Sequence, residues 1–365
     1  MRKSAQLNPV PLDSNADSHL PAPVFHDPKH HIKIFQGDCL EILAKIPEAC
    51  VDLIFADPPY FLSNNGITCH AGRMVSVNKG DWDRSRGADA NHEFNRAWLA
   101  ACQRVLKPNG TIWVSGTSHV IHSVGFAMQQ LDFKLLNDIS WVKPNPPPNL
   151  SCRYFTHATE TIIWAAKNKK SRHAFNYKLM KETNHGKQMK SVWEVLPPSR
   201  EEKLFGKHPA QKPVALLERI ILASSNEGDL VLDPFMGSGT TLVSALRLSR
   251  LAYGCEYELQ SVNLSLRRIC SELVQVEISA FCIQIDLDPR CDPMDRSGSL
   301  NDASKFRLVQ CERSFHFVGE LPRQIVFKTV APDLNEAWRQ FRNSPMAETR
   351  VLFVIKTETE IFLAQ

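Results

Sequence analysis

The sequence predicts an α/β protein built on a parallel sheet. Short apolar runs alternate with stretches whose apolar residues recur at helical spacing, the pattern of strand–helix–strand units. Two of those runs stop abruptly in polar turn residues, at Asp57-Pro58-Pro59-Tyr60 and at Asp233-Pro234-Phe235-Met236-Gly237. The 365 residues are 43% hydrophobic and 22% charged, which is ordinary for a globular chain and excludes a largely disordered or collagen-like one.

Residues 1–30 hold five prolines and few large apolar side chains, and read as a mobile arm. The first strand is expected over 31–35, followed by Asp38 and a helix over 39–46. A buried-type strand fits 51–56. It must end at Pro58 and Pro59, because neither has an N–H to donate to a sheet. Residues 61–92 read as a long polar loop, and loops of that length are uncommon without a function. A helix over 94–106, a strand over 111–115, a helix over 120–130 and a strand over 135–142 follow.

Residues 143–210 break the rhythm. Pro144 to Asn149 is irregular, and residues 167–190 carry eight Lys or Arg against one acidic residue, Glu182. That local charge of about +7 exceeds the net +4 of the whole chain. The rhythm resumes with a helix over 213–225, a strand over 230–232, a Gly-rich turn, a helix to about 248, a strand over 251–255 and a helix over 259–273. The rest reads as a separate α+β unit, with strand-like alternation over 274–286 and 351–363 and a helix over 334–341.

No apolar run approaches the ~20 residues that span a bilayer, and no apolar core follows the basic N-terminus, so the expectation is a cytoplasmic protein with no membrane partner. Ten scattered cysteines contain no C-x-x-C pair, and neither His119 with His122 nor Cys69 with His70 has metal-ligand spacing, so no metal is expected.

Two constellations carry chemistry. A strand, then F-x-G-x-G, then a helix is the layout of an adenosine site at the edge of a parallel sheet. Gly237 and Gly239 let the backbone turn tightly, and Glu256, nineteen residues after Gly237, ends the next strand as a carboxylate for ribose hydroxyls. No Gly-Lys-Ser/Thr follows, so this is not a phosphate loop. The second is Asp57-Pro58-Pro59-Tyr60. An amino group conjugated to a heterocycle is a poor nucleophile, because its lone pair is delocalised into the ring. A carboxylate and a carbonyl that accept its hydrogens free that lone pair, while a flat ring stacks on the base. The basic run, interleaved with Phe175 and Tyr177 and followed by Trp193, is the candidate for phosphate and base contacts.

D-P-P-Y upstream, D-P-F-x-G-S-G-T-T downstream and a basic segment between them resemble the β class of DNA amino-methyltransferases, over roughly residues 31–270. The chain is similar in particular to the GATC-specific adenine-N6 methyltransferases of DpnII-type restriction-modification systems, in the member that accepts single-stranded DNA. The stretches that carry this are 55–64, Lys79-Gly80-Asp81-Trp82-Asp83, and Asn149 to His157. The resemblance implies a Rossmann-like S-adenosylmethionine-dependent methyltransferase fold, circularly permuted. Its catalytic half is 31–142, its target-recognition insertion 143–207 and its cofactor half 208–270, with 271–365 an accessory domain of open role.

It further implies Asp57, Pro58, Pro59 and Tyr60 as catalytic residues acting on a flipped-out adenine. It implies Asp38, Asp57, His208, Lys212, Pro213, Asp233, Phe235, Gly237, Ser238, Gly239, Thr240, Thr241 and Glu256 around S-adenosylmethionine. Lys207 to Pro213 resembles the family's H-P-T-Q-K-P element, with Ala210 in place of its threonine. DNA contacts fall on Lys143, Arg153, Lys167, Lys169, Lys170, Arg172, Lys178, Lys181, Lys187 and Lys190. DNA is the partner, and a homodimer and a companion restriction endonuclease are the others the resemblance admits. A cytosine-N4 methyltransferase of the same fold, a non-catalytic DNA-binding protein and an RNA or protein methyltransferase are the rival readings. Asp57, where cytosine-N4 enzymes usually carry Ser, favours adenine.

Overall fold

The computed structural model describes residues 20–63, 67–70, 73–76, 83–146, 148–287, 306–311, 314–319 and 328–330. The chain divides into two compact units, residues 1–266 and 267–365.

The first unit is a nine-stranded sheet flanked by helices. Its strands are β1 (Phe25–Asp27), β2 (Ile32–Gln36), β3 (Val51–Ala56), β6 (Leu106–Gly116), β7 (Lys134–Val142), β8 (Thr159–Ala166), β9 (Val192–Glu194), β10 (Leu230–Asp233) and β11 (Leu251–Glu256). They lie in the order β1-β2-β11-β10-β3-β6-β8-β7-β9. A separate hairpin pairs β4 (Ile67–His70) with β5 (Arg73–Ser76). The helices are α1 (Cys39–Lys45), α2 (Ala88–Val105), α3 (Ile121–Gln130), α4 (Tyr177–Thr183), α5 (Val214–Ser224) and α6 (Thr240–Arg247), and α7 (Leu259–Leu287) runs on into the second unit.

The central strands β2, β11, β10, β3 and β6 are parallel, as expected. The flank is not. β8 runs antiparallel to both β6 and β7, because residues 143–158 return the chain as a hairpin loop rather than through a crossover helix. The irregular run after residue 143 thus contributes two sheet strands, β8 and β9. Order begins earlier than residue 31, since Phe25–Asp27 pairs antiparallel with β2. Residues 1–19 of the expected arm lie outside the described residues. The supposed loop 61–92 holds the β4–β5 hairpin and the start of α2, and β6 begins at Leu106 rather than at Thr111.

The core lies on both faces of this sheet. Trp98, Trp113, Phe35, Phe55, Ile32, Ile34 and Leu53 are almost wholly enclosed, each contributing about 1.5–3 kcal/mol on burial. Trp141 is also buried, as its strand position predicts. In the second unit, residues 274–286 are helical within α7, against the strand-like reading, and β12 (Phe306–Cys311), β13 (Ser314–Gly319) and β14 (Lys328–Val330) form an antiparallel sheet. The expected elements at 334–341 and 351–363 lie outside the described residues.

One feature of the topology positions the site. β3 and β10 are neighbours in space, with Val231 opposite Leu53, yet the chain leaves them in opposite directions across the sheet. That is a topological switch point, where ligands bind beyond the carboxyl ends of the strands. Asp57 follows β3 there, and Asp233 closes β10.

Candidate active site

The turn after β3 is held open by a single buried carboxylate. Asp83 Oδ1 accepts hydrogen bonds from the Tyr60 and Phe61 N–H groups, both at 2.8 Å. Its Oδ2 accepts from Leu62 N at 3.2 Å and Ser63 Oγ at 2.9 Å. Three consecutive peptide groups, with Phe61 at φ 58°, are thereby satisfied away from water. Asp83 is thereby a stiffener of the turn after β3.

Asp57 lies at the centre of a buried ionic network. Lys212 Nζ donates to its Oδ2 at 2.5 Å, and the Tyr60 hydroxyl to its Oδ1 at 2.6 Å. Lys212 also lies 5.4 Å above the Tyr60 ring centre and 3.5 Å from Glu160 Oε2. Burial raises the Asp57 carboxyl above its ordinary range; Lys212 opposes the rise and the Glu160 charge adds to it. Burial also disfavours the Lys212 ammonium, yet Asp57 and Glu160 together hold it charged. Glu160 is buried too, and Lys212 and Lys143 outweigh that burial and bring it down to about 2.

Beside this network the carboxyl end of β10 forms a cradle. Asp233 Oδ1 accepts from Phe235 N at 2.9 Å and its Oδ2 from Thr241 Oγ1 at 2.5 Å. Burial, only partly offset by these bonds, lifts Asp233 to about 7. Gly237 adopts φ 52°, and a Cβ there would stand 3.1 Å from the His208 ring, so the backbone approaches that ring only without a side chain. Gly239 precedes α6 in the left-handed conformation. Glu256 accepts from Gly237 N and Glu258 N, both at 2.8 Å, which fixes the carboxylate and leaves it lone pairs to spare. Asp38 caps α1 through Leu40 N at 2.8 Å.

Cradle and network open into one cavity of about 490 Å3, within the ~300–1,000 Å3 typical of small-molecule sites. Asp57, Pro58, Pro59 and Tyr60 line one part of it. Asp38, His208, Asp233, Phe235, Gly237, Ser238, Thr240, Thr241 and Glu256 line the rest, with Lys212 between. Gly239 and Pro213 do not line it and serve instead as the positions preceding α6 and α5. The donor set suits an adenosine-type ligand, with two carboxylates, Asp38 and Glu256, for hydroxyls and amines, and Phe235 as an apolar wall.

The candidate DNA contacts are not brought together. Lys143 pairs with Glu160 at the edge of the sheet that holds Asp57, and Arg153 is exposed in the adjoining loop beside Tyr154 and Phe155, which are 60% and 96% exposed. Lys167 is turned inward, its Nζ donating to Leu106 O at 2.6 Å. With Ala166 opposite Thr111, it sits at the amino edge of the parallel strands, away from Asp57. Arg172 N bonds Asn109 Oδ1, and Asn176 N bonds Ala223 O at the far end of α5, about 16 Å along that helix from its Lys212 end. Lys169 and Lys170 belong to that edge, Lys178 and Lys181 to α4, and Lys187 and Lys190 lead back towards β9. Trp193, read as a base contact, is buried against Trp113 and Arg219.

Ser115, Glu160 and Arg86 are not among the residues the sequence singles out, and Gln211 enters there only within the Lys207–Pro213 element. Ser115 and Glu160 reach Tyr60 from β6 and β8, and Arg86 and Gln211 line the cavity. An acidic residue just before the apolar run Ile162-Ile163-Trp164-Ala165-Ala166, as Glu160 is, was the one signal available. Among the described residues no group of three or more His, Cys, Asp or Glu is placed to hold a metal ion, and no helix is long and apolar enough to cross a membrane.

A family profile of N6/N4 methyltransferases, described as DNA methylase, matches residues 51–267. The type II methyltransferase M2.DpnII of Streptococcus pneumoniae is 55% identical over 245 residues, covering 67% of this chain and 91% of that protein. M2.MboI of Moraxella bovis is 49% identical over 246 residues, covering 67% and 90%. Among solved structures, the cytosine-N4-specific PvuII DNA methyltransferase matches with a TM-score of 0.53 at 20% identity, over 67% of this chain and 88% of that one. A DNA modification methylase homologue from Thermus thermophilus, TTHA0409, matches with a TM-score of 0.50 at 24% identity, over 67% and 95%. Both share the fold.

Proposed function

The chain belongs to the N6/N4 DNA methylase family, and from that membership we propose that it methylates adenine N6 within GATC sequences of DNA, with S-adenosylmethionine as donor. The observation that carries this reading is the shared cavity: the Asp57–Tyr60 turn and the Asp233–Glu256 cradle face the same space. The type II methyltransferase relatives, M2.DpnII and M2.MboI, support a place in a restriction-modification system. On this reading the chain works in the cytoplasm, with a companion endonuclease and a homodimer as the further partners proposed.

Asp38, Phe235, Gly237 and Glu256 would hold the donor, with Asp233 and Thr241 fixing the turn beneath it. When bound, S-adenosylmethionine supplies a methyl carbon made electrophilic by its sulfonium. Asp57 accepts one amino hydrogen of the target adenine, and the Pro58 carbonyl accepts the other. Both bonds favour a tetrahedral nitrogen with its lone pair free. The Lys212 ammonium keeps Asp57 an acceptor in spite of its burial. Tyr60, its hydroxyl tied to Asp57, presents its ring to the cavity for stacking on the base. The methylated nitrogen is acidic and releases its proton without a strong base, so orientation and electrostatics supply most of the catalysis.

On this reading DNA, single-stranded and/or duplex, lies on the Asp57 edge of the sheet, against the exposed Arg153, Tyr154 and Phe155. The test is to express the protein in a methylation-deficient host and map N6-methyladenine across the DNA. Methylation at GATC is expected; cytosine-N4 marks would establish the rival reading, and no mark at all would sink the enzymatic one.

A further inference from the structure

Glu160 stands where the loop 144–158 returns to the sheet, and its two carboxylate oxygens face different neighbours. Oε1 takes the Lys143 ammonium. Oε2 accepts from Ser115 Oγ at 3.2 Å, and lies 3.2 Å from the Tyr60 hydroxyl oxygen and 3.5 Å from Lys212 Nζ. Lys143 closes the loop's neck a second time, its N–H donating to Ala158 O at 2.8 Å. Lys143, at the end of β7, is therefore tied twice to the start of β8, through its backbone to Ala158 and through its ammonium to Glu160.

The Tyr60 hydroxyl has one hydrogen and two carboxylates in reach. At 2.6 Å Asp57 receives it in preference to Glu160 at 3.2 Å, which leaves Glu160 Oε2 to Ser115 and Lys212. Two carboxylates, Asp57 and Glu160, face two ammoniums, Lys143 and Lys212, in a buried space. The charges balance, and a buried network loses its balance when any one of them is removed.

We infer that Glu160 is a positioning residue that couples the neck of the 144–158 loop to the methyl-accepting site, by sharing Lys212 with Asp57 and taking its own counter-charge from Lys143. The inference rests on the adenine-methylation reading of the site. Lys212 has two anions to serve, and Lys143 sets how strongly Glu160 competes for it. A displacement of the loop that draws Lys143 away leaves Glu160 under-neutralised, and Lys212 then leaves Asp57. The groups facing Asp57 are Lys212 from the segment before α5, Tyr60 on its own turn, Glu160 from β8 and Asp233 from β10, with Lys143 from the end of β7 acting through Glu160.

Two variants move the acid limb of the single-turnover methyl-transfer rate in opposite directions. Glu160→Gln removes the anion that competes for Lys212 and repels the Asp57 charge, so the limb moves to lower pH. Lys143→Met unmasks that anion, so the limb moves to higher pH. The plateau rate of Glu160→Gln falls about 10–100-fold through lost orientation, while binding of S-adenosylmethionine, measured by calorimetry, stays within about threefold of wild type. A merely structural Glu160 would lower rates without moving the limb. Limbs that stay put, or move the same way in both variants, overturn the inference while the function stands. A wild type that methylates no DNA overturns the functional reading and this inference with it. If Glu160→Gln does not fold, the partly exposed Lys143→Met decides alone, an upward shift supporting the coupling and an unmoved limb refuting it.

Discussion

Lys212 Nζ rests 2.5 Å from Asp57 Oδ2 although 155 residues separate them in the chain. The contact joins the H-P-A-Q-K-P element to the D-P-P-Y turn, in the cavity that both line.

Asp57→Ala should abolish methylation, by about 10²-fold or more, while leaving donor binding within a few-fold. Lys212→Met should keep some activity but move the acid limb of the rate upward. The sign follows from the charges: burial already raises Asp57, and removing the cation that opposes the rise lets it climb further. Single-turnover rates from pH 5 to 9 check both.

Asp83→Ala strips four hydrogen bonds from the turn that carries Tyr60. Buried donors left unpaired cost about 1–3 kcal/mol. Urea unfolding should show that loss, and the rate should fall with it because the turn loosens.

Asp233 contributes a pH dependence of stability with a definite sign. Its folded value of about 7 lies above the ordinary 3.8, so the fold retains a proton that the unfolded chain releases. The stabilisation is full below about pH 4 and is lost as pH rises towards 7, with a slope of at most about 1.4 kcal/mol per pH unit. Asp233→Asn should flatten this fall, as read by unfolding free energies from pH 5 to 7.5.

Gly237→Ala places a Cβ against His208 in a left-handed conformation that costs an L-residue about 1–2 kcal/mol. Affinity for S-adenosylmethionine should drop about tenfold in calorimetry. An unchanged affinity would remove Gly237 from the cradle.

Arg153→Ala with Phe155→Ala should weaken DNA binding several-fold, and the lost cation should reduce the salt slope by about one. Replacing Lys169, Lys170 and Arg172 together at the opposite sheet edge should leave methylation within about twofold. The reverse result would return target recognition to the basic segment.

The two motif-bearing turns were legible in the sequence because each buried strand runs into a proline that cannot continue it, Pro58 with Pro59 after β3 and Pro234 after β10, the latter followed by the turn glycines Gly237 and Gly239. The parallel centre was legible for the same reason of strand–helix rhythm. Glu160 was not, since nothing local shows that a strand residue 100 positions from Tyr60 will face it. The placement of the basic run was hidden too. Charge density says nothing about which sheet edge a segment occupies; that follows from β8 running antiparallel and delivering Lys167 beside Gly110. Residues 274–286 misled because their apolar spacing suits a strand locally, whereas they prolong a helix begun at Leu259.

The adjacency of β3 and β10 has a consequence for how the protein is made. During synthesis β3 leaves the ribosome long before Leu230–Asp233 exists, so its central edge waits without a neighbour until some 175 further residues have emerged. Pairing of such sequence-distant strands is slow and leaves an apolar edge open to other chains. The Asp57–Tyr60 turn has its Asp83 anchor early, whereas the cavity it lines is completed only when the later Lys212 and Asp233–Glu256 segments arrive.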